Sequence, residues 1–332
     1  MRGLELKSYN GLDALSVTEK PIPKLKNNQV LVKISAAGVN PSDLMFIRGR
    51  YGFTKKTPVI AGFEGSGRVV AGEGAYGNWL VGKRVACAVQ DKGDGTWAEY
   101  MVASTMMCLP LLGSVTDEQG AMLMVNPLTA WALLEKAKRS HKAAVHTAAA
   151  SALGRMFLQL AQKADFPIIH IVRREEQVKL LKGMGAEHVL DSSTDSFDED
   201  LASLSKQLGA TIALDAVAGD MPQRLLNNMP DGSKVTVYGA LSEQAVSVNP
   251  GGLIFNLHSV EGFWLSDYLK NLSLPGLLYR AWRVQRLLAS DLQIDVRGRY
   301  SLDEAVEGIK TYQEKMTDGK ILIRPQKEVG SK

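Results

Sequence analysis

The hydrophobic and polar positions follow two different patterns along the chain. In the N-terminal third, short alternating segments such as QVLVKISAAGV (29–39), with Val30, Val32 and Ile34 on one face, are separated by glycine-rich turns. This pattern is typical of β-strands. From Asp117 onwards, a long apolar helical segment that is interrupted at Pro127 leads into alternating strand and helix patterns. The sequence therefore predicts an all-β, barrel-like block followed by an α/β block.

The α/β block contains five strand segments that are apolar almost throughout, as expected for a parallel sheet covered on both faces. These strands are predicted over 143–148, 167–172, 188–190, 211–217 and 234–239, and the helices between them over 153–163, 175–184, 197–208 and 220–229. Their alternation predicts a doubly wound parallel sheet with right-handed crossovers. A further helix over 301–316, started by Ser301 and Glu304, and a strand over 320–323 follow near the C-terminus.

The first strand of this block runs through a tight turn into an amphipathic helix, AAVHTAAASALGRMFLQLAQ (143–162). Such a unit opens a dinucleotide-binding fold, in which backbone N–H groups at the helix N-terminus bind the pyrophosphate. Ala149 and Ser151 stand where the first two glycines of the motif are usual, and Gly154 is retained. Small side chains preserve the mechanism, provided that neither Ala149 nor Ser151 needs a positive φ.

Two arginines end the next strand. Arg173 follows Gly154 by 19 positions, where an NAD-specific fold carries an acidic residue that binds the ribose hydroxyl. Guanidinium groups at Arg173 and Arg174 favour the 2′-phosphate of NADP(H) instead. The alternative is that both arginines are solvated and paired with Glu175 and Glu176.

Composition narrows the classes of function. The chain has 332 residues, 45% of them hydrophobic and 22% charged, which indicates a globular protein with enough mass for two domains. The net charge of +4 is spread out, and the densest basic run, 136–142, has no interleaved aromatics, so no nucleic-acid partner is expected.

No signal-peptide pattern and no run of eighteen apolar residues is found. With only Cys87 and Cys108, a disulfide framework is excluded, and we expect a cytoplasmic protein without a membrane partner.

The chain resembles the medium-chain dehydrogenase/reductase family over nearly its whole length. The segments that carry the resemblance are AAGVNPSDL (36–44), AGFEGSGRVV (61–70), VGKRVA (81–86), GTWAEY (95–100), VNPLTAW (125–131), the turn at 143–162, LKGMGAEHVLD (181–191), ALDAVAG (213–219) and VYGAL (237–241). The resemblance implies an α/β fold in which a GroES-like β-barrel catalytic domain accompanies a Rossmann doubly wound parallel sheet. The catalytic domain is expected over 1–118, completed by 268–332, and the Rossmann domain over 119–267.

The resemblance also bears on a metal. The zinc alcohol dehydrogenases of the family take their catalytic ligands from positions that match Asn40, Phe63 and Asn126, and none of these is a cysteine or histidine. We therefore expect no metal site. Without a Lewis acid, the zinc-free branches of the family remain: reductases of 2-enoyl thioesters and quinone oxidoreductases.

Two segments resemble the enoyl reductases. NPSDLMFIRGRYG (40–52) matches the segment with the catalytic tyrosine, here Tyr51, and LIFNLHSVEGFWLSDYL (253–269) matches the segment that lines the nicotinamide and substrate cleft. A phenol is protonated at neutral pH and can donate to a developing enolate or protonate carbon. Asn40 would position the substrate carbonyl, and Trp264 would line the cleft. The alternatives are a turn role for Tyr51, a core or dimer-interface role for Trp264, and either a place beside the nicotinamide or a structural salt bridge for Glu64.

The resemblance implies the following NADPH contacts: Asn126, Ala150, Ser151, Ala152, Leu153, Gly154, Arg173, Arg174, Tyr238, Gly239, Ala240, Leu241, Phe263, Trp264, Leu265, Ser266 and Lys320. Two residues depart from the family pattern, Ala152 in place of a glycine and Glu175 beside the 2′-phosphate position. The expected function is NADPH-dependent reduction of an activated C=C bond in a small-molecule substrate, a 2-enoyl thioester or an enone. NADPH:quinone reduction is the alternative, and an NADPH-binding sensor or scaffold without turnover is a third. A homodimer is expected, with the last strand of the cofactor sheet, near 259–265, pairing across a two-fold axis.

Overall fold

The computed structural model describes residues 1–89 and 92–326, apart from the side chain of Leu274. The strands are β1 (Arg2–Leu6), β2 (Leu15–Glu19), β3 (Gln29–Gly38), β4 (Val59–Ile60), β5 (Glu64–Gly72), β6 (Arg84–Ala88), β7 (Tyr100–Ser104), β8 (Cys108–Pro110), β9 (Ala143–His146), β10 (Ile168–Val172), β11 (His188–Asp191), β12 (Ala210–Asp215), β13 (Lys234–Val237), β14 (Ser259–Gly262), β15 (Val296–Tyr300) and β16 (Lys320–Ile323). The α-helices are α1 (Pro41–Ile47), α2 (Ala75–Leu80), α3 (Asp117–Ala121), α4 (Asn126–Ser140), α5 (Ala152–Lys163), α6 (Glu175–Gly183), α7 (Phe197–Leu208), α8 (Met221–Asn227), α9 (Pro250–Phe255), α10 (Leu265–Lys270), α11 (Leu274–Ser290) and α12 (Ala305–Glu314).

The chain divides into two compact units. The first unit comprises Met1–Pro127 and the chain from Arg280 onwards, and the second comprises Leu128–Tyr279. The domain limits expected from the sequence, 118/119 and 267/268, stay a prediction. Asn126 and Lys320, which the sequence places among the cofactor contacts, belong to the first unit.

A seven-stranded sheet organises the first unit. Strand β3 pairs antiparallel with β5, β7 and β16, and β16 in turn pairs parallel with β15. The alternation predicted for β3 is confirmed, because Val30, Val32 and Ile34 are all fully buried in the core of this unit. The pairing of β16 with the end of β3, Leu322 opposite Gly38, brings the C-terminal strand to the start of α1.

The second unit is built on a six-stranded sheet with the order β11-β10-β9-β12-β13-β14, and all of its strand pairs are parallel. In chain order these strands run 3-2-1-4-5-6, which is the Rossmann arrangement that the sequence predicts. Helix α7 has the predicted bounds, and α5 begins one residue earlier than predicted.

The interruption in the apolar helical segment was predicted at the wrong residue. Helix α3 ends at Ala121 and α4 begins at Asn126, so the break precedes Pro127. A proline fits the first turn of a helix, where its missing N–H has no intrahelical partner. Pro127 therefore starts the second helix rather than interrupting the first.

In the described part of the chain, no helix is long and apolar enough to cross a membrane.

Candidate functional site

The predicted cofactor residues of the second unit lie along one edge of its sheet. They follow the carboxyl ends of four parallel strands, with 150–154 after β9, 173–174 after β10, 238–241 after β13 and 263–266 after β14. Strand β9 has β10 on one side and β12 on the other, so the chain order reverses there. Open α/β sheets bind ligands outside the carboxyl ends of their strands at such a switch point.

The turn between β9 and α5 has the geometry of a pyrophosphate-binding turn. Ser151 is the N-cap of α5, and its hydroxyl oxygen accepts the N–H of Gly154 at 3.1 Å. A Cβ atom added to Gly154 would lie 2.7 Å from Cα of Ala149 and closer still to its carbonyl oxygen. Only glycine permits this approach, and the helix N-terminus stays open to an anion.

Neither Ala149 nor Ser151, which stand in place of glycines, takes a positive φ. Ser151 has a φ of −66°, and the left-handed residue of the turn is Ala148, with a φ of 49°. An alanine in this region is strained by its Cβ atom. The backbone conformation that favours glycine is thus at Ala148, one residue before Ala149, the first position that the sequence indicates.

A buried carboxylate organises the next segment of the same edge. Asp215 accepts the hydroxyl of Thr147 at 2.7 Å and the N–H groups of Val217 and Ala218 at 3.1 and 2.7 Å. Burial raises the pKa of Asp215, against the opposing effect of these three donors. The segment after β12 is thereby tied to the start of the cofactor turn.

His146 and Tyr238 connect two more segments of this edge. The Nε2 atom of His146 lies 2.8 Å from the hydroxyl of Tyr238, and the His146 ring packs 4.5 Å from that of Phe157 in α5. Burial lowers the pKa of His146 well below its usual range, so the ring is neutral. Because Tyr238 opens the predicted loop 238–241, this pair holds the loop against β9.

Arg173 and Arg174 differ in their surroundings. Both are exposed, but the Nε atom of Arg174 pairs with Glu176 at 3.3 Å, and Glu175 pairs with Lys179 at 2.7 Å. No ion pair of the Arg173 guanidinium is found within residues 1–89 and 92–326. Arg173 is therefore the better placed of the two for a phosphate, and the charge of Glu175 is partly neutralised by Lys179.

The last segment of the edge follows β14. The N–H of Phe263 donates to the carbonyl of Val237 at 2.8 Å, and Trp264 is the N-cap residue of α10. Trp264 is 40% exposed, whereas Trp97 is fully buried in the first unit. The core role that the sequence leaves open for Trp264 is excluded by this exposure, and its contact with substrate stays a prediction.

A buried group of charged residues lies in the first unit, and we call Lys320, Asn40, Asp43 and Glu64 the Lys320 cluster. Lys320 is fully buried, and its ammonium donates to the carbonyl of Val39 at 2.5 Å and to Oδ1 of Asn40. The amide nitrogen of Asn40 donates to Oε1 of Glu64 at 2.8 Å. Buried charges are stable only when they are paired and hydrogen-bonded, as they are here.

The carboxylates of the Lys320 cluster also accept backbone N–H groups. Oε2 of Glu64 accepts the N–H of Val125 at 2.9 Å, and Asp43 accepts those of Asn40 and Phe63 at 2.8 and 2.9 Å. Burial raises the pKa of Asp43 to about 7 and raises the pKa of Glu64, while Lys320 opposes both shifts. Burial lowers the pKa of Lys320, against the attraction of the two carboxylates.

The cluster places two predicted residues in surroundings that the sequence did not indicate. Asn40, expected to position a substrate carbonyl, is buried with its amide between Lys320 and Glu64. Lys320, expected to contact the cofactor, bonds to Val39 and Asn40 within the first unit. Sequence reasoning missed Asp43, although a carboxylate three residues after an N-cap asparagine is a helix-start signal that could have indicated it. Of the two roles that the sequence leaves open for Glu64, these contacts support the structural one, through hydrogen bonds from Asn40 and Val125 rather than a salt bridge.

Tyr51 lies in an aromatic group of the same unit. Its half-buried ring is 4.6 Å from that of Phe63 and 5.1 Å from that of Phe53. Since the N–H of Phe63 is bound by Asp43, the ring against which Tyr51 packs is held by the Lys320 cluster. Asn126, another predicted cofactor residue, is buried at the start of α4, directly after the Val125 N–H that Glu64 accepts.

The residues at the matched zinc-ligand positions do not fit zinc. Asn40 and Asn126 carry amides and Phe63 carries no donor, whereas zinc requires thiolate, imidazole or carboxylate ligands. The adjacent carboxylate, Glu64, is already bonded to Asn40 and Val125, and a lysine ammonium is buried in the same cluster. In the described residues, no group of three or more His, Cys, Asp or Glu side chains is arranged to hold a metal ion.

Comparison with known proteins agrees with this geometry. The alcohol dehydrogenase GroES-like domain matches residues 26–113, and the zinc-binding dehydrogenase domain matches residues 152–278. A mitochondrial enoyl-[acyl-carrier-protein] reductase of Caenorhabditis elegans is 31% identical over 77% of this chain and 73% of its own length. The chain belongs to the medium-chain dehydrogenase/reductase family.

Its relatives in this family include enoyl reductases and quinone reductases. The corresponding enoyl-[acyl-carrier-protein] reductase of Rattus norvegicus is 30% identical over 74% of this chain and 67% of its own length. The crystal structure of a candidate NADPH:quinone reductase from Mesorhizobium loti is 36% identical, with a TM-score of 0.91 over 98% of both chains. These findings confirm the predicted fold class and place this member of the family among its zinc-free oxidoreductases.

Proposed function

We propose that this chain is a zinc-independent, NADPH-dependent reductase that saturates an activated C=C bond in a 2-enoyl thioester or an enone. The observation that carries the proposal is the Lys320 cluster, with a buried ammonium and no thiolate or imidazole, beside the aromatic group of Tyr51. The same chain also has a turn with the geometry of a nucleotide-binding turn. With zinc chemistry unsupported by these residues, a substrate that accepts hydride by conjugate addition is the best fit. The enoyl reductases among the relatives support the same substrate class.

The cofactor would be held by the edge of the parallel sheet. The N–H groups at the start of α5 would bind the pyrophosphate, and Arg173 would bind the 2′-phosphate of NADPH. The loop 238–241, held by His146, and the segment 263–266 would complete the contacts along this edge. Bound NADPH supplies the hydride that adds to Cβ of the substrate.

Tyr51 would serve the other half of the reaction. Addition to Cβ leaves negative charge on the thioester oxygen, and a proton must reach Cα. The phenol O–H of Tyr51 would donate to that oxygen or deliver the proton, and solvent would then reprotonate the phenolate. The ring contacts with Phe53 and Phe63 would hold the phenol in place. Asn40, fixed by Lys320 and Glu64, would act by positioning rather than by direct contact.

Quinone reduction is the second candidate, and it has its own support. Tyr51 and Phe53 are half-buried aromatic rings packed on the buried ring of Phe63, and such rings suit a flat acceptor. The Mesorhizobium loti relative is described as a quinone reductase. This reaction needs no donor at a fixed carbon, because the quinone oxygens can take protons from solvent. It should therefore be insensitive to the hydroxyl of Tyr51.

One experiment separates enoyl reduction from quinone reduction. The initial rate of NADPH oxidation is measured with a short 2-enoyl thioester and with a simple ortho-quinone at matched concentrations, for wild type, Tyr51→Phe and Tyr76→Phe. Tyr76 lies on α2 in the same unit, stacked on Trp79, and serves as the matched control. We expect Tyr51→Phe to lower the thioester rate by about 10²-fold and to leave the quinone rate unchanged.

Three other results would contradict this assignment. Equal thioester rates in wild type and Tyr51→Phe would show that Tyr51 has no catalytic role. Turnover of the quinone alone would make the chain a quinone reductase. Tight NADPH binding with no turnover of any enone or quinone would favour a sensor or scaffold.

We propose that the protein is a homodimer formed through the β14 edge of the cofactor sheet. Strand β14 is the last strand in the sheet order, and Phe255 and Leu257 just before it are 82% and 73% exposed. A strand at the edge of a sheet, with exposed apolar side chains beside it, is stabilised by pairing with a second copy. Sedimentation equilibrium over a range of concentrations tests this, and a monomer mass at every concentration would refute it. The cytoplasmic location stays a prediction from the sequence.

A further inference from the structure

The Lys320 cluster contains one cation and two carboxylates, all of them withdrawn from solvent. The proposed hydride and proton transfers explain neither the buried cation nor the two buried carboxylates, because none of these groups is assigned to contact the substrate. Removing an ion from water is costly, and a protein retains such a group where it has a positioning or specificity role, or where its partners require it. The contacts of Lys320 show which role it has.

Lys320 holds the Asn40 amide in one orientation. The ammonium accepts no hydrogen bond, so its contact with Asn40 must be with Oδ1, and the amide nitrogen must then face Glu64. The same ammonium bonds to the carbonyl of Val39, the residue before Asn40. The N-cap of α1 is therefore fixed at its backbone and at its side chain by one residue from β16, 280 positions along the chain.

Two series of contacts connect the Lys320 cluster to residues of the proposed reaction. Asp43 accepts the N–H of Phe63, whose ring packs on that of Tyr51 at 4.6 Å. Glu64 accepts the N–H of Val125, which precedes Asn126. The charge of Lys320 attracts both carboxylates, so its loss would weaken both connections at once.

We propose that Lys320 is a positioning residue of the proposed reductase reaction: its buried ammonium holds Asn40, Asp43 and Glu64 so that Tyr51 is correctly placed. The inference rests on the proposed function, because Tyr51 is the donor only in that reaction. It differs from the cofactor contact that the sequence predicts for Lys320. A cofactor contact would act on NADPH affinity, whereas positioning acts on the Tyr51-dependent step.

The test uses Lys320→Met in the full chain, with Lys310→Met on the exposed side of α12 as the matched control. The rates with the 2-enoyl thioester and the ortho-quinone and the Kd for NADPH are measured for each variant. We expect Lys320→Met to lower the ratio of thioester to quinone rates by roughly ten- to a hundredfold, as a small misplacement of a catalytic group does. The Kd for NADPH should stay within about threefold of wild type, well below one tenfold step in affinity.

A double variant gives a readout that a general loss of structure would not produce. If Lys320 acts through Tyr51, the ratio in Lys320→Met with Tyr51→Phe should match that of Tyr51→Phe alone, because coupled residues are not additive. If the double variant instead lowered the rate ratio by the product of the two single effects, the proposal would be overturned. So would a rise of more than about tenfold in the Kd for NADPH with an unchanged rate ratio, since that pattern identifies a cofactor contact.

Lys320→Met can fail to fold because it leaves two buried carboxylates without their cation. The variant Lys320→Met with Glu64→Gln removes one charge of each sign and restores the balance. We expect it to fold and still to show the lowered rate ratio, because the hydrogen bonds of the ammonium to Val39 and Asn40 are lost. A wild-type ratio in this folded variant would refute the positioning role.

The outcomes also separate this inference from the proposed function. A wild-type protein that reduces only quinones refutes both. A wild-type protein that reduces the thioester, together with a Lys320→Met variant of unchanged ratio, refutes the role of Lys320 and leaves the proposed function intact.

Discussion

Gly154 lies so close to Ala149 that a Cβ atom added to it would be 2.7 Å from Cα of Ala149. Real Cβ atoms do not approach backbone atoms this closely, so a side chain at 154 would push α5 away from β9. The N-terminus of α5, where the pyrophosphate is expected, would move with it.

We therefore expect Gly154→Ala to weaken NADPH binding and to destabilise the fold by about 1–3 kcal/mol, the usual cost of overpacking a close contact. Thermal unfolding and the Kd for NADPH check this. Gly183→Ala is the control, because Gly183 is in helix α6 and has nothing within 4 Å of an added Cβ atom. It should stabilise the protein by up to about 1 kcal/mol. Equal behaviour of the two variants would contradict the close-contact argument.

Ala148 occupies the left-handed region, with a φ of 49°. The strain of a Cβ atom there, about 1–2 kcal/mol, exceeds the entropy that glycine loses on folding, about 0.5–1 kcal/mol. Ala148→Gly should therefore raise the free energy of unfolding by about 0.5–1 kcal/mol, the difference between these two effects, and preserve NADPH binding. Urea denaturation measures the change. A loss of stability would show that the strain is absent.

Arg173 has no carboxylate partner in the described chain, whereas Arg174 is paired with Glu176. Arg173→Gln should reduce the preference for NADPH over NADH by roughly ten- to a hundredfold, since a hydrogen bond to a charged group contributes about 1.5–3 kcal/mol. Arg174→Gln should have a smaller effect. The ratio of Kd values for the two cofactors is the measurement, and a larger effect at Arg174 would reverse the assignment.

Glu118 is bonded to Arg299 through two hydrogen bonds of 2.6 and 2.7 Å, and also to Arg324. The Arg299 hydrogen bonds, with those of Arg324, lower the pKa of Glu118 to about 2. The stability from this carboxylate is thus fully present above its ordinary pKa of 4.5 and is lost as the pH falls towards 2.

Glu118→Gln should therefore unfold at a lower temperature than wild type at pH 6, and the gap should narrow between pH 4.5 and pH 2. Calorimetry across this range measures the gap. Glu73→Gln, at an exposed position of the same unit, is the control and should give no comparable gap. A gap for Glu118→Gln that is constant with pH would mean that the charge of Glu118 is not the cause.

Much of the fold could be predicted because it depends on local pattern. The alternation of Val30, Val32 and Ile34 specified the buried face of β3, and the turn from β9 into α5 was recognisable from small residues and Gly154. The break before Pro127 was misplaced by a few residues, since both a helix end and a helix start tolerate proline nearby.

The candidate site was only partly predictable. The cofactor segments that the resemblance implies each follow a strand, and parallel strands bring their carboxyl ends to one edge of the sheet. That these segments bind NADPH stays a prediction. The surroundings of Asn40 and Lys320 were not found, because these residues are 280 positions apart and meet only through the pairing of β16 with β3.

The sequence by itself determined the alternation of strands and helices from β9 to β13, the place of the turn between β9 and α5, and the lack of zinc-ligand side chains at three positions. These features depend on residue type and spacing, which the chain carries locally. Only the tertiary structure decided that Ala148 takes the left-handed conformation, that Trp264 is exposed and that the ammonium of Lys320 is buried with Asp43 and Glu64. Such features arise from contacts between distant segments, where the energy of burying a group depends on the partners that the fold brings to it.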